Sequence, residues 1–397
     1  MVAIETDVNR PYVPADGTTL TATVDVEPGA QAGSGVSERH IVLCLDTSGS
    51  MDGAKIDQAR EGASWVFGLL EPDDYVGIVA FDSEASVVMR PTQWRETSRE
   101  AAMSRVDDLG AGGGTDMYDG LDSARTALDS LGYRPETDDA VRRILLLSDG
   151  KDNSHEPGDF RELAKDIDDS GIRILSAGIG SDYDEETIRT LGTTARGEWT
   201  HLESPGDIES FFGAAVEQAQ SVVATDASLG LDAAPGVEVS EVYRALPQAQ
   251  EVDVNWRGNA ARVPLPDLAE RESQRVVLKV HAPAREELGE ETLVDVTLTA
   301  SGREATDRIA AEYTDDNAKL AEHNESVSLD HRQTVVRTEL GKGNVAEAET
   351  QVEKMTRIHG ADTAVVEEAK RQTRLVSEGG REERNDATRI VDDSRIE

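Results

Sequence analysis

The sequence predicts an α/β protein with a doubly wound, mainly parallel sheet, flanked by an antiparallel β-sandwich and followed by a C-terminal helical hairpin. Three observations carry that prediction. Short apolar runs at residues 43–45, 75–81 and 144–148 alternate with stretches whose apolar residues recur at helical spacing, which is the pattern of strands joined by crossover helices. Two of those runs end in an acid, Asp46 and Asp149, and in an open parallel sheet the carboxyl ends of neighbouring strands share one edge. On either side of this region the period falls to two, as in Thr19-Leu20-Thr21-Ala22-Thr23-Val24-Asp25-Val26, which suits a half-exposed antiparallel strand.

Each element follows in order. After the first acidic turn, Ile56, Ala59, Ala63, Val66, Phe67 and Leu70 mark a helix that Glu71-Pro72-Asp73-Asp74 stops. Residues 75–81 are a strand with a hairpin partner at 85–89. Helices are expected at 97–109 and 117–131, separated by the glycine-rich stretch Gly110-Ala111-Gly112-Gly113-Gly114. Strand, helix and strand then alternate at 144–148, 160–169 and 172–177. From about 223 to 313 the β pattern returns, with Arg257-Gly258-Asn259 and Ser301-Gly302-Arg303 as hairpin connections. Residues 320–340 and 345–376 are rich in Ala, Glu, Gln, Lys and Arg, with a turn at Gly341-Lys342-Gly343-Asn344, and read as two antiparallel helices. The domain boundaries expected are therefore N-terminal strands at 1–36, the α/β domain at 38–221, the sandwich at 223–313, the helical hairpin at 314–378, and a disordered acidic tail at 379–397.

The chemistry concentrates at three segments. Asp46-Thr47-Ser48-Gly49-Ser50 sets one carboxylate and two hydroxyls on alternate residues of a tight turn, an oxygen-only donor set suited to Mg2+, Mn2+ or Ca2+ rather than to zinc or copper. The alternative use of Ser50 is to cap the helix that starts near Gly53. The glycine-rich loop delivers Thr115 and Asp116, and residues 143–150 bring Asp149. Asp116 precedes a helix, where a carboxylate has a structural use of its own.

With those segments in place, the chain resembles the von Willebrand factor type A (VWA) domain over about residues 38–221, and they resemble its metal-ion-dependent adhesion site. The family pattern of Asp-x-Ser-x-Ser, a loop Thr and a later strand-end Asp is matched by Asp46, Ser48, Ser50, Thr115 and Asp149. The resemblance implies a Rossmann-like fold and a bound Mg2+, with Mn2+ or Ca2+ as alternatives, contacted directly by Ser48, Ser50 and Thr115 and partly through water by the two Asp residues. It also implies that the domain is inserted into the sandwich, so that the N-terminal strands at 1–36 belong with the later ones. It further implies an intracellular prokaryotic module of the kind found in halophilic archaea, whose protein partner supplies an Asp or Glu carboxylate to the metal. A second implied role is a regulatory subunit for a separate AAA+ ATPase of the MoxR or chelatase type, since no phosphate-binding loop motif occurs in this chain.

Composition narrows the setting. The formal net charge is −39 over 397 residues, and Lys55, Lys151 and Lys165 are the only lysines before Lys279. Such a surface repels itself unless concentrated salt shortens the screening length to a few ångström, so the expected setting is a salt-accumulating cytoplasm. No basic stripe exists to neutralise phosphates, which argues against nucleic acid as a partner. The first residues lack the pattern of a signal peptide, and no run approaches the roughly 18 apolar residues of a membrane span. An enzyme is not expected, and no catalytic or organic-cofactor residues are assigned. A phosphotransferase using a strand-end Asp needs a second acid where Ser48 stands, and His155, His201 and His281 lie scattered without a neighbouring nucleophile. Cys44, inside an apolar run, reads as a small core residue.

Overall fold

The computed structural model describes residues 2–28, 38–133, 140–360 and 363–389. The chain divides into two compact units, Gly33–Thr225 and a second made of Met1–Ala32 with Asp226–Glu397.

In the first unit, six strands among the described residues form one sheet in the order Ala85–Gln93, Tyr75–Phe81, Glu38–Asp46, Ala140–Ser148, Ile172–Ile179 and Glu198–Leu202. Every pairing is parallel except that of the first two. Strands Ala140–Ser148 and Ile172–Ile179 are buried at every position, as expected for a parallel sheet covered on both faces. The two-residue period sorts the side chains. Ile41, Leu43 and Leu45 pack with Phe67 and Phe212 of helices Ala54–Leu69 and Asp207–Ser221, while Val42, Cys44, Ile144 and Leu146 face Leu121, Phe160 and Leu191 of helices Met117–Asp129, Pro157–Asp169 and Glu185–Thr194. The fold is the expected doubly wound one. From Glu38–Asp46 the chain passes first to the neighbour at Tyr75–Phe81 and later to the opposite neighbour at Ala140–Ser148. The carboxyl end of Glu38–Asp46 is therefore a topological switch point, where open α/β sheets leave a crevice.

The second unit holds two mainly antiparallel sheets and the C-terminal helices. One sheet runs Val2–Val8, Thr18–Pro28, Gln274–Ala282, Glu238–Leu246 and Gln250–Glu251; the other runs Ala260–Pro264, Ser228–Ala233, Gly289–Ala300, Arg303–Tyr313 and Tyr12–Val13. Strand Thr18–Pro28 pairs with Gln274–Ala282 from Val26↔Gln274 to Thr18↔Ala282. The N-terminal strands thus share a sheet with strands that follow the α/β unit in sequence, and the α/β unit is an insertion between them. The loop at Ser301-Gly302 takes φ +44° and +68° and joins Ala300 to Arg303 in register, the left-handed two-residue turn that matches the twist of a hairpin.

The helices after the sandwich differ from the expected hairpin. Glu325–Gly341 agrees, but the second stretch is broken into Val345–His359 and Ala364–Glu378, with Gly360 at φ +87° ending the first of these. A further helix, Arg381–Thr388, lies inside the segment expected to be disordered; residues 390–397 of that segment are outside the described residues. The apolar positions look sparse along the sequence, but Val336, Leu340, Ala348, Met355, Val366, Ala369, Val376 and Ala387 gather into one buried cluster. A two-helix reading has no place for Ala387, because that residue becomes apolar-facing only once the later helix folds back.

Candidate metal centre

The switch point brings the three predicted segments together. Asp46, the last residue of its strand, is fully buried, and its Oδ1 accepts the Ser48 N–H at 2.8 Å. Its Oδ2 accepts the Ser148 hydroxyl at 2.6 Å. Burial pushes the Asp46 carboxyl up from the usual range, the Ser148 and Ser48 hydrogen bonds pull it back, and the nearby Asp149 adds to the rise. Asp149, also fully buried, accepts the Ser50 hydroxyl on Oδ1 at 2.6 Å, and Ser50 Oγ lies 3.1 Å from Ser48 Oγ. Ser50 therefore faces the second acid. Helix Ala54–Leu69 begins at Gly53 without any side-chain cap, so the capping alternative does not apply.

Thr115 completes the group. A Cβ built on Gly150 would stand 3.1 Å from Thr115 Oγ1 and 3.8 Å from Asp46 Oδ2, so those two oxygens flank the same small space and only a glycine leaves it open. Backbone hydrogen bonds hold the loops in register. Gly49 N–H donates to Gly113 O at 3.2 Å, Gly112 N–H to Thr47 O at 2.8 Å, and Thr47 N–H to Phe81 O at 2.8 Å. Asn153 clasps the Thr115 carbonyl through its backbone N–H at 3.0 Å and its side-chain amide at 3.1 Å. Gly113 adopts φ +77°, which L side chains rarely tolerate, and this lets the loop turn back over Asp82.

All five predicted residues thus converge, and the donor set is two carboxylates and three hydroxyls, the hard-oxygen chemistry that suits Mg2+, Mn2+ or Ca2+. Asp116 lies apart from it. Its Oδ1 accepts the Asp119 N–H at 2.9 Å as the cap of helix Met117–Asp129. Asp116, Asp152 and His155 do form a second acidic group. Asp152 is spoken for: its Oδ2 accepts Met117 N–H at 2.8 Å and its Oδ1 accepts Ser154 and His155 N–H groups at 2.8 and 2.7 Å. His155 stacks on Tyr118 with ring centroids 4.3 Å apart.

Three participants escape sequence reasoning. Ser148 touches Asp46 only because the register Leu45↔Leu147 sets the two strand ends side by side. Asn153 reaches Thr115 across the loops. Lys55, in the first turn of the helix that follows the serines, pairs with Asp149 Oδ2. Its rarity in a lysine-poor chain was the only signal available in advance.

Residues 40–214 match the family model of the von Willebrand factor type A domain. This region is a VWA domain. VWA domains are protein-interaction modules. A solved von Willebrand factor type A protein from Catenulispora acidiphila is similar over 94% of this chain and 88% of its own, with a TM-score of 0.77 and 22% identity. VWA2, an ArnB paralog from Sulfolobus acidocaldarius, is similar over 98% of this chain and 96% of its own, with a TM-score of 0.65 and 17% identity. At such identities the shared property is the fold. Among curated proteins, an uncharacterised protein of Synechocystis sp. is 27% identical over 245 residues, covering 60% of this chain and 56% of that protein. The chain spans little more than half the length of that relative. No helix among the described residues is long and apolar enough to cross a membrane.

Proposed function

We propose that the VWA domain binds a protein partner through a divalent cation, Mg2+ in the first instance, held by Asp46, Ser48, Ser50, Thr115 and Asp149, and that the chain acts as an adaptor. The observation that carries this reading is the convergence of three hydroxyls on two fully buried carboxylates at the switch point of the sheet. Serine and threonine hydroxyls are neutral ligands, so the five residues contribute only two negative charges. A cation there keeps Lewis acidity that a partner's Asp or Glu satisfies by completing its coordination. The chain's own part is positional. Ser148 and the Ser48 N–H orient Asp46, Ser50 orients Asp149, and Asn153 pins the backbone beside Thr115. Glycine at position 150 keeps a side chain away from Thr115 Oγ1 and Asp46 Oδ2.

The test is affinity capture from cell extract with the full chain and an Asp46→Ala variant, each with Mg2+ and with chelator. Partners retained by the wild type in Mg2+ and lost in the other three conditions are expected. A partner set indifferent to both chelator and Asp46→Ala overturns the metal-bridged reading. We place the protein in a salt-rich cytoplasm because its acidic excess is spread over every segment. Dilution from molar potassium chloride to about 0.1 M lengthens screening to about 10 Å and is expected to lower the melting temperature; an unchanged melting temperature contradicts this placement.

A further inference from the structure

Asp149 is fully buried, yet one of its carboxylate oxygens is held by a residue that belongs to none of the three predicted segments. Lys55 sits in the first turn of helix Ala54–Leu69, and its ammonium pairs with Asp149 Oδ2 while lying 3.4 Å from the Ser50 carbonyl. Its side chain is 29% exposed, so the stem has an open route to solvent. We propose that Lys55 is an internal counter-ion that sets the cation affinity of this centre by competing with a divalent ion for Asp149. This rests on the metal-bridged reading above and adds its regulation.

The charge balance supports it. Asp46 and Asp149 carry two negative charges, and Lys55 offsets one. A divalent cation added while the ammonium stays would put three positive charges against two negative ones at short range in a partly dry site, where like-charge repulsion is strong. Asp149 Oδ2 then serves either the lysine or the ion.

The choice of lysine is the second observation. Elsewhere among the described residues of this unit, buried arginines meet acids: Arg39 on Asp74, Arg142 on Asp129, and Arg173 on Asp168, where the less buried Arg196 joins it. A guanidinium holds a carboxylate through a rigid fork of donors, whereas an ammonium is a point charge on a flexible stem that releases at low cost. Lys55 thus stands where a cation has to be exchangeable, and these arginines stand where it does not. With Lys55 in place, Asp149 stays neutralised until the divalent ion is concentrated enough to displace the ammonium, so the centre loads only above a threshold.

The experiment titrates the full chain with MgCl2 by calorimetry at one fixed potassium chloride concentration, alongside melting temperatures with and without MgCl2. Lys55→Met is expected to bind Mg2+ at least tenfold more tightly than wild type and to show a larger Mg2+-induced rise in melting temperature. Lys55→Arg, which keeps the charge and gains the fork, is expected to bind no more tightly than wild type. Should Lys55→Met fail to fold, Lys55→Gln gives the same neutral test with a polar head. Asp46→Ala in the wild-type and Lys55→Met backgrounds reports separately on the centre. If wild type binds through Asp46 and Lys55→Met binds equally or more weakly, the counter-ion proposal falls and the metal centre stands. If binding in both backgrounds is indifferent to Asp46→Ala, the ion sits elsewhere and both fall.

Discussion

The two edges of the parallel sheet treat buried charge in opposite ways. At the amino edge, Arg39, Arg142 and Arg173 enter within the first residues of their strands, each is buried, and each meets an acid. Arg39 Nε donates to Asp74 Oδ1 at 2.6 Å and also pairs with Glu71. Arg142 reaches Asp129 at 2.9 Å, and Arg173 reaches Asp168 at 2.9 Å. At the carboxyl edge, Asp46 and Asp149 are just as buried but receive hydroxyls and a single lysine. A buried Asp such as Asp74 is a structural element where the chain supplies a guanidinium. Where the chain supplies only hydroxyls and an ammonium, the reading proposed above leaves the negative charge for a cation from outside.

The comparison breaks most readily at Arg39. Asp74 has no exposed side-chain surface, so Arg39→Met strands a buried carboxylate, and the cost expected is about 3 kcal/mol or more. A urea denaturation midpoint should fall by the same amount with and without Mg2+. A midpoint close to that of wild type would show that the amino edge is not a structural charge lock.

At the opposite edge, removing charge should have the opposite sign. Asp46 is held above the usual carboxylate range by burial, so Asp46→Asn is expected to leave metal-free stability unchanged or raised by up to about 1 kcal/mol. Mg2+ at 100 times its wild-type dissociation constant should stabilise wild type by about 2.7 kcal/mol and the variant not at all. Destabilisation of the metal-free variant as severe as that of Arg39→Met would erase the distinction between the edges.

Gly150→Ala sharpens the comparison by touching geometry and no charge. Its Cβ would lie 3.1 Å from Thr115 Oγ1, a tight contact that displaces one hydroxyl. Mg2+ affinity is expected to drop about tenfold, equivalent to about 1.4 kcal/mol, with a smaller loss of fold stability; calorimetry and thermal melting separate the two.

The smallest effect is expected in the other unit, where charge is shared between elements and partly exposed. Glu241 is pulled down to about 2 by hydrogen bonds from His331, 3.1 Å away, and Lys279, 2.7 Å away. Its folded value lies below the ordinary 4.5, so its stabilisation is present above about pH 4.5 and is lost as pH falls toward 2. Because the group is about one-third exposed, Glu241→Gln should cost only about 1 kcal/mol at pH 7. The melting curves of variant and wild type should converge between pH 4.5 and 2; a constant offset through that window rejects the assignment.

The turn Asp46-Thr47-Ser48-Gly49-Ser50, the loop Thr115 and the strand-end Asp149 were legible in the sequence because local order was enough. An apolar run followed by alternating oxygens puts its ligands on one side of a turn, and parallel strands present their carboxyl ends together. Period two marked strands on both sides of the inserted unit, but their pairing across it followed only from the resemblance, because a two-residue period names no partner. Ser148 was not legible. It is next to Asp149 in the chain, but its contact with Asp46 depends on inter-strand register, which no local pattern states.

The sequence alone therefore determined the alternation of strands and helices, the hydroxyl and carboxylate content of one sheet edge, and the excess of negative charge. These are properties of residue type and period, and they survive any reasonable placement of the elements. Tertiary structure alone decided which carboxylates would be neutralised from within. Arg39 and Asp74 lie 35 residues apart, and Lys55 and Asp149 lie 94 apart. Whether a buried acid meets a rigid guanidinium, a mobile ammonium or a hydroxyl is set by which distant segments the fold packs against it. It also decided the C-terminal helices, since Ala387 and Val336 share one core only when the last helix folds back. Burial energy there depends on area removed from water by neighbours the linear pattern does not show.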